Sequence, residues 1–203
     1  MPAMPLDPRA AVDELRVIRA AYSPPAAVVS GAAEDETTHR ALLALLRRSG
    51  ASFGEMAHAP TRTSAESAAV RGASLSSGAK ALLLRAGKPL SHGSPHVLAV
   101  MPASHNLSWE RAREVLGAAK LSLAPMSDVA ALTGCIPGAV PPFGSLFVGV
   151  RTLVDPALLA QGQTINFNAG LRTHSVLRLA VADYLRIETP DIVAICEDEP
   201  LAS

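Results

Sequence analysis

The sequence lacks the compositions that mark several large classes of protein. Two cysteines occur among its 203 residues, too few for a disulfide framework or a four-thiolate zinc site. Its 18 Lys and Arg residues balance its 18 Asp and Glu residues. This balance excludes a globally basic nucleic-acid binder and a polyacidic tail protein. Any site for a polyanion must therefore be local.

The sequence also has no unbroken apolar segment of the kind that anchors or exports a protein. Residues 1–22 mix acidic and basic side chains, which argues against a signal or transit peptide. Residues 129–150 carry no charge and have the length of a membrane span, but they hold three prolines and four glycines, which break helices. We therefore expect a loop entering a buried strand, and a cytoplasmic protein without a membrane partner.

The sequence has enough hydrophobic residues to form one sizeable core, since 49% of its residues are hydrophobic. Short apolar runs predict buried strands, over residues 81–85, 97–101, 146–150, 164–167 and 175–180. Apolar spacing and capping residues predict helices, over residues 8–21, 36–49, 64–72 and 127–134 and after Ser108 and Asp155. The irregular alternation favours an α+β fold, a single compact domain with a curved mixed β-sheet flanked by helices.

Charge is unevenly distributed along the chain. Residues 40–113 hold ten basic and three acidic residues, a net charge of +7. Such a segment could attract phosphate groups, because the planar fork of arginine donors matches a phosphate. The alternative is a set of solvated charges on helix surfaces.

The common catalytic signatures are missing. No nucleophile elbow, P-loop, dinucleotide fingerprint or His-Glu-x-x-His motif occurs. The common hydrolase, nucleotide-binding and zinc signatures are therefore absent, and any catalysis uses another arrangement of residues. His92 and His96 have a spacing that suits a metal, but no cysteine pair or carboxylate cluster lies near them in sequence. We interpret them as a surface turn, Cys135 and Cys196 as core residues, and the protein as free of metal and cofactor.

Residues 133–144, with the sequence Thr-Gly-Cys-Ile-Pro-Gly-Ala-Val-Pro-Pro-Phe-Gly, form the least ordinary segment. Prolines fix φ, while glycines allow positive φ and close approach of a ligand. Backbone N–H groups held in such a loop can stabilise an oxyanion. The alternative is an ordinary connecting loop.

Five segments, in this order, give the chain a family resemblance. They are Ala57-His58-Ala59-Pro60, Thr63-Ser-Ala-Glu66, Gly78-Ala-Lys80-Ala-Leu-Leu-Leu84, Gly134-Cys-Ile-Pro-Gly138-Ala-Val-Pro-Pro142-Phe-Gly144 and Ile165-Asn-Phe-Asn-Ala-Gly170 through Thr173. Together they resemble the YbaK/ProX family, which comprises the editing (INS) domain of bacterial prolyl-tRNA synthetase and its free-standing trans-editing relatives. The resemblance spans roughly residues 53–190. It implies a domain over 53–190, an N-terminal helical extension over 1–52 packed on it, and a C-terminal strand and acidic tail over 191–203.

The resemblance also implies an activity and a site. The family hydrolyses the ester that joins a wrong amino acid to the 3′ end of a tRNA. Lys80 matches the family's functional lysine and is the implied catalytic residue. Residues 138–142 match its Gly-x-x-x-Pro substrate loop. The substrate-binding residues that we expect are Gly134, Gly138, Pro142, Phe143, Gly144, Asn168, Thr173 and His58.

Two departures from the family pattern concern specificity. Asn168-Ala169 stands where relatives that act on alanyl-tRNA carry His-Pro, and Ala81 stands where they often carry Asn. The Asn168 amide could pair with a substrate hydroxyl, or it could cap a turn before Gly170. His58 could contact substrate or only turn the chain.

Two rival functions stay open. A catalytically inactive module of the same fold would bind tRNA or a synthetase, and a small-molecule esterase would ignore tRNA. Lys80 favours an enzyme, and the basic segment favours tRNA. We therefore predict a stand-alone aminoacyl-tRNA deacylase that removes a small amino acid from mischarged tRNA, with an aminoacyl-tRNA synthetase as a further candidate partner.

Overall fold

The computed structural model of the protein describes residues 36–200, and the helix expected over residues 8–21 lies outside them. Within this range the α-helices are α1 (Thr37–Arg48), α2 (Ser64–Arg71), α3 (Trp109–Leu116), α4 (Met126–Thr133), α5 (Pro156–Ala160) and α6 (Val181–Glu188). The strands are β1 (Gly54–Ala57), β2 (Ala79–Ala86), β3 (His96–Pro102), β4 (Leu121–Leu123), β5 (Arg151–Val154), β6 (Thr164–Asn168), β7 (His174–Ala180) and β8 (Asp191–Ile192). Short 3₁₀ helices span Leu75–Ser77 and Gly144–Leu146.

The strands form two sheets. One has the order β4-β2-β3-β5-β8 and mixes antiparallel pairs with the parallel pairs β3–β5 and β5–β8. The other is antiparallel, in the order β1-β7-β6. A bridge between Gly78 and Asn166 links the start of β2 to β6. The predicted α+β fold with a mixed sheet and flanking helices is confirmed.

Strand β3 is the centre of the mixed sheet, and its side chains alternate between two apolar clusters. Leu98 and Val100 belong to the larger cluster, which also contains side chains from α1, α4, α5 and α6. Val97, Ala99 and Met101 belong to the smaller cluster, with a side chain of α3 and residues of the C-terminal segment. This alternation is the period of two that a strand imposes. It explains why β3 is apolar from Val97 to Pro102, since both of its faces are covered.

Two helices begin directly after the capping residues that the sequence indicates. The Thr63 hydroxyl accepts a hydrogen bond from the Glu66 N–H at 3.1 Å, and the Glu66 carboxylate accepts one from the Arg62 N–H at 2.7 Å. The first bond satisfies an N–H group that the first turn of α2 leaves open, and the second ties the residue before the cap to that turn. Asp155 caps α5 in the same way, accepting from the Ala157 N–H at 2.7 Å.

The strand predicted over residues 146–150 is wrong. Its first residue ends a 3₁₀ helix, and the strand begins only at Arg151. The backbone leading into this segment is held by side chains: the Gly144 N–H donates to the Thr152 hydroxyl at 3.0 Å, and the Ser145 N–H donates to Glu188 at 3.1 Å. Gly149 then adopts a φ of 72°, which turns the chain before β5.

Helix α1 packs within the larger apolar cluster, with Leu42, Leu45 and Leu46 fully buried. The predicted domain boundary between residues 52 and 53 stays a prediction. Among residues 36–200, no helix combines the length and the apolar character that crossing a bilayer requires.

Candidate active site

A cavity of about 170 Å³ lies where the start of β2 meets α2, the end of β6 and the loop of Gly138. Three residues predicted from the sequence line it, namely Lys80, Gly138 and Asn168. They come from parts of the chain that only the fold brings together: β2 lies in the mixed sheet, and β6 in the antiparallel sheet. The structure thus gathers the core of the predicted site around one small cavity.

Lys80 lies one residue inside β2, opposite Met101 of β3. Its side chain is half-buried, and its ammonium donates a hydrogen bond to the carbonyl oxygen of His105. Burial lowers the pKa of Lys80, and the nearby Cys196 thiol only partly offsets this effect. A cation with part of its hydration removed interacts more strongly with a developing negative charge than a solvated lysine does.

The cavity wall is cationic. Arg62 and Arg71 line it together with Lys80, and no Asp or Glu does so in the part of the chain that the structure describes. Burial lowers the pKa of Arg71 to about 10. Three cations around one small volume favour an anionic ligand or a transition state that develops negative charge.

Asn168 connects two walls of the cavity. Its Oδ1 accepts a hydrogen bond from Nη2 of Arg71, and its Nδ2 donates to the carbonyl oxygen of Gly138 at 2.7 Å. Arg71 also donates from Nε to the hydroxyl of Ser175 at 2.8 Å, and that hydroxyl lies 2.8 Å from Nε2 of His58. One chain of hydrogen bonds therefore joins His58, through Ser175, Arg71 and Asn168, to the loop of Gly138.

The glycine- and proline-rich loop reaches the cavity at Gly138 and Val140. Gly138 has a φ of 89°, a backbone conformation that suits glycine. Among residues 36–200, neither the Gly138 N–H nor the Val140 N–H has a hydrogen-bond acceptor. These two N–H groups are therefore available to an oxygen atom of a ligand.

The other predicted loop residues build the fold rather than the cavity wall. Gly134 ends α4 with a φ of 63°. The Phe143 ring is fully buried against the rings of Phe167 and Tyr184. The carbonyl oxygen of Pro142 accepts a hydrogen bond from the Tyr184 hydroxyl at 2.9 Å. A Cβ at Gly144 would lie 2.3 Å from the Thr152 hydroxyl oxygen, so only glycine fits there.

His58 and Thr173 lie behind the cavity wall. The His58 N–H donates to the carbonyl oxygen of Thr173 at 2.8 Å, which fixes the chain after β1 beside the start of β7. The His58 ring contacts Ser175 and not the cavity. Its position supports an indirect role, through Arg71, in the shape of the cavity.

Neither histidine of the pair at 92 and 96 approaches the cavity. His96 bonds from Nε2 to the Asp128 carboxylate at 2.7 Å, and Nε2 of His92 lies 3.0 Å from the His96 carbonyl oxygen. The described residues hold no group of three His, Cys, Asp or Glu side chains that could bind a metal ion. Cys135 and Cys196 are both buried, and burial raises the pKa of Cys196 to about 12, which leaves its thiol unreactive.

The side chains that line the cavity include no histidine, cysteine or carboxylate within residues 36–200. The Ser67 hydroxyl is buried and lies 2.8 Å from the Thr61 hydroxyl. The lining thus offers no nucleophile paired with a base. The arrangement can bind an anion, stabilise an oxyanion and position a water molecule.

Sequence reasoning missed Arg71, Val140 and Ser175 as parts of the site. The sequence singled out Arg71, together with Arg62, only as a contact of the basic segment to tRNA phosphate, and Val140 only as one residue of the loop. Little in the neighbourhood of Arg71 distinguishes it from Arg48, which also ends a helix and is followed by Ser49 and a glycine. The signal that could have identified Arg71 is a basic residue that faces the Phe-Asn segment in a related structure.

Comparison with known proteins points in one direction. The sequence profile of the family described as aminoacyl-tRNA editing domain matches residues 58–187. The chain is 37% identical, over 162 residues, to the multifunctional Ser/Thr-tRNA deacylase ProXp-y of Escherichia coli K12. That alignment covers 79% of this chain and 94% of the relative.

Solved structures share the fold. The crystal structure of hypothetical protein APE2540 superposes with a TM-score of 0.64 at 24% identity, covering 75% of this chain and 96% of that one. The crystal structure of a candidate trans-editing enzyme for prolyl-tRNA synthetase gives a TM-score of 0.64 at 21% identity, covering 82% of this chain and 99% of that one. At these identities the two structures establish the fold alone.

Proposed function

The chain belongs to the aminoacyl-tRNA editing domain family, and on this premise we propose how it works as an aminoacyl-tRNA deacylase. It hydrolyses the ester bond between a small, wrongly attached amino acid and tRNA. The single observation that carries the site assignment is the partly desolvated Lys80 ammonium in a small cationic cavity edged by the loop of Gly138.

We propose serine and threonine as the amino acids removed. The relative from Escherichia coli is described as a Ser/Thr-tRNA deacylase. A cavity of about 170 Å³ suits a small side chain, and the Ser64 and Ser67 side chains give part of its wall polar character. A second, size-limited site is useful because a synthetase distinguishes amino acids that differ by one methylene by only about 1–3 kcal/mol.

In the proposed mechanism, water attacks the ester carbonyl carbon and the carbonyl oxygen becomes negatively charged. The Lys80 ammonium and the N–H groups of Gly138 and Val140 stabilise this oxyanion. The bond between the carbonyl carbon and the ribose oxygen then breaks, and the proton that the attacking water gives up passes to the ribose oxygen. The products are the free amino acid and intact tRNA.

The proposal needs no side-chain base. The described cavity lining contains no histidine or carboxylate to take a proton from water. The ribose of the terminal adenosine carries a hydroxyl beside the ester, and we propose that it orients the water. Holding water, hydroxyl and ester together supplies the rate advantage of positioned reactants.

The proposal extends to the domain limits, the partners and the location. Residues 53–190 are proposed as the catalytic domain, with 1–52 and 191–203 as extensions of it. Mischarged tRNA is the substrate, and a synthetase is proposed as a partner that delivers it. Because charged tRNA is made and used in the cytoplasm, we propose that the protein acts there.

The test is deacylation of a panel of tRNAs charged with Ala, Ser, Thr or Cys, measured for the parent protein, Lys80→Ala and Lys88→Ala. We expect Lys80→Ala to lower kcat/KM at least about tenfold, which corresponds to about 1.4 kcal/mol. Lys88 lies outside the cavity and serves as the matched control. If the parent binds tRNA but releases no amino acid from any member of the panel, the protein is a binding module of the same fold.

A further inference from the structure

We propose that Arg71 binds the phosphodiester that joins the terminal adenosine to the rest of the tRNA, with Asn168 as its positioning residue. This subsite deepens the proposed function and rests on it. Arg71 comes from α2 and Lys80 from β2, so two cations enter the cavity from different elements. We assign the two cations to different parts of one substrate: Lys80 to the reacting ester, and Arg71 to the phosphate one ribose away.

The first observation is that Arg71 is a half-buried cation without a carboxylate partner. It forms no ion pair with any residue between 36 and 200. Both of its hydrogen-bond acceptors, the Ser175 hydroxyl and the Asn168 amide oxygen, are neutral. Removing a cation from water is costly unless an anion compensates it. Burial lowers the pKa of Arg71, in agreement with this cost.

The second observation is that the guanidinium is fixed at one edge and open at the other. Nε and one N–H of Nη2 are used by Ser175 and Asn168. No residue in the described part of the chain accepts a hydrogen bond from Nη1. A guanidinium has five N–H donors in one plane. The side chain is therefore held in place while the donors of Nη1 remain for a ligand, and a phosphate accepts such donors in a bidentate arrangement.

The chemistry of the substrate selects the phosphodiester. An aminoacyl ester carries no carboxylate, so the stable anions of charged tRNA are its phosphates. The only other negative charge is the short-lived oxyanion, which the proposed function assigns to Lys80 and the loop of Gly138. Asn168 connects the two regions, because one amide bonds to Arg71 and to the Gly138 carbonyl oxygen. Binding of the phosphate to Arg71 would therefore help to fix the position of the loop of Gly138, which faces the ester.

The experiment uses two serine-charged acceptor-stem RNAs that differ at one bond. One has the natural phosphodiester before the terminal adenosine, and the other has an uncharged methylphosphonate there. We expect the parent protein to prefer the phosphodiester at least tenfold in kcat/KM. In Arg71→Ala the ratio of the two kcat/KM values should fall to near one, because the guanidinium that binds the charged phosphodiester is absent. The coupling between protein change and substrate change isolates the contact.

Arg71→Lys and Lys80→Ala complete the design. Arg71→Lys keeps the charge and should retain part of the preference, and it replaces Arg71→Ala if thermal melting shows that variant to be unfolded. Lys80→Ala should be slow on both RNAs with the preference intact. Because the preference is a ratio within one variant, a general loss of stability cancels from it.

The outcomes separate this proposal from the proposed function. If the parent hydrolyses both RNAs equally, or Arg71→Ala keeps the tenfold preference, Arg71 does not bind this phosphate. If Lys80→Ala abolishes the preference, Lys80 binds the phosphate and the assignment is wrong. If the parent hydrolyses neither RNA and no other charged tRNA, the proposed function itself has failed.

Discussion

Asn168 holds the backbone of Gly138 through its side chain: Nδ2 donates to the Gly138 carbonyl oxygen at 2.7 Å. The amide oxygen of the same side chain accepts from Arg71. Both ends of the amide are therefore engaged within the protein. A group in this position shapes the cavity and has little capacity left to distinguish one amino acid from another.

The first prediction follows from this contact. Asn168→Ala should lower kcat/KM about tenfold and to the same extent for serine, threonine and alanine esters, with a lower Tm, because the half-buried Arg71 guanidinium and the Gly138 carbonyl oxygen each lose a hydrogen bond. Asn168→Asp keeps an acceptor for Arg71 but loses the donor to Gly138, so it should lose activity with a smaller change in Tm. Deacylation rates and thermal melts check both variants. A change in the ratio of serine to alanine hydrolysis would instead show that Asn168 contacts the amino acid.

The second prediction concerns the charge of Lys80. Burial lowers its pKa, so the ammonium loses its proton at a lower pH than a solvated lysine does. The enzymatic rate, corrected for spontaneous hydrolysis, should therefore decline on the alkaline side below the ordinary range of lysine. In Lys80→Arg, which stays charged, this decline should move to higher pH. The α-amino group of the substrate titrates in both proteins, so identical profiles would mean that the charge at position 80 is not required.

The third prediction concerns stability and rests on Glu188. This carboxyl is buried beside Ser145 and Thr152, and burial raises its pKa to about 7. A raised pKa in the folded state means that the stabilising contribution is present at acidic pH and is lost as the pH rises through about 7. Relative to Glu188→Gln, the parent should lose about 2 kcal/mol of unfolding free energy between about pH 5.5 and pH 8.5. Denaturant unfolding at both pH values measures this difference. A constant gap between the two proteins would mean that Glu188 is already ionised in the folded protein at pH 5.5, so that its pKa lies below this range.

The fourth prediction concerns tRNA binding. Arg62 is exposed at the cavity and forms no ion pair within residues 36–200. We expect Arg62→Gln to weaken binding and to reduce the slope of log affinity against log salt by about 1, because one phosphate contact is lost. Arg186→Gln is the control, since Arg186 already pairs with Asp183 at 2.6 Å. Equal slopes for all three proteins would mean that Arg62 is only a solvated charge.

The sequence by itself determined the local elements and the family. The apolar run over residues 97–101 predicts β3 because a strand covered on both faces must be apolar along its buried length. Thr63 and Asp155 mark helix starts because their side chains bond to N–H groups that a first turn leaves open. The five family segments place Lys80, Gly138 and Asn168 in one site, and the fold brings all three to the same cavity.

Only the tertiary structure decided where each residue of that site lies and what it contacts. Within one loop it placed Gly138 at the cavity and Phe143 in the core, although the local sequence treats both as parts of a glycine- and proline-rich turn. It also paired Arg71 with Asn168 across 97 positions of the chain. Local patterns depend on neighbours three or four residues apart. A contact between α2 and β6 depends instead on how the helix packs against the sheet, and no short segment of sequence carries that information.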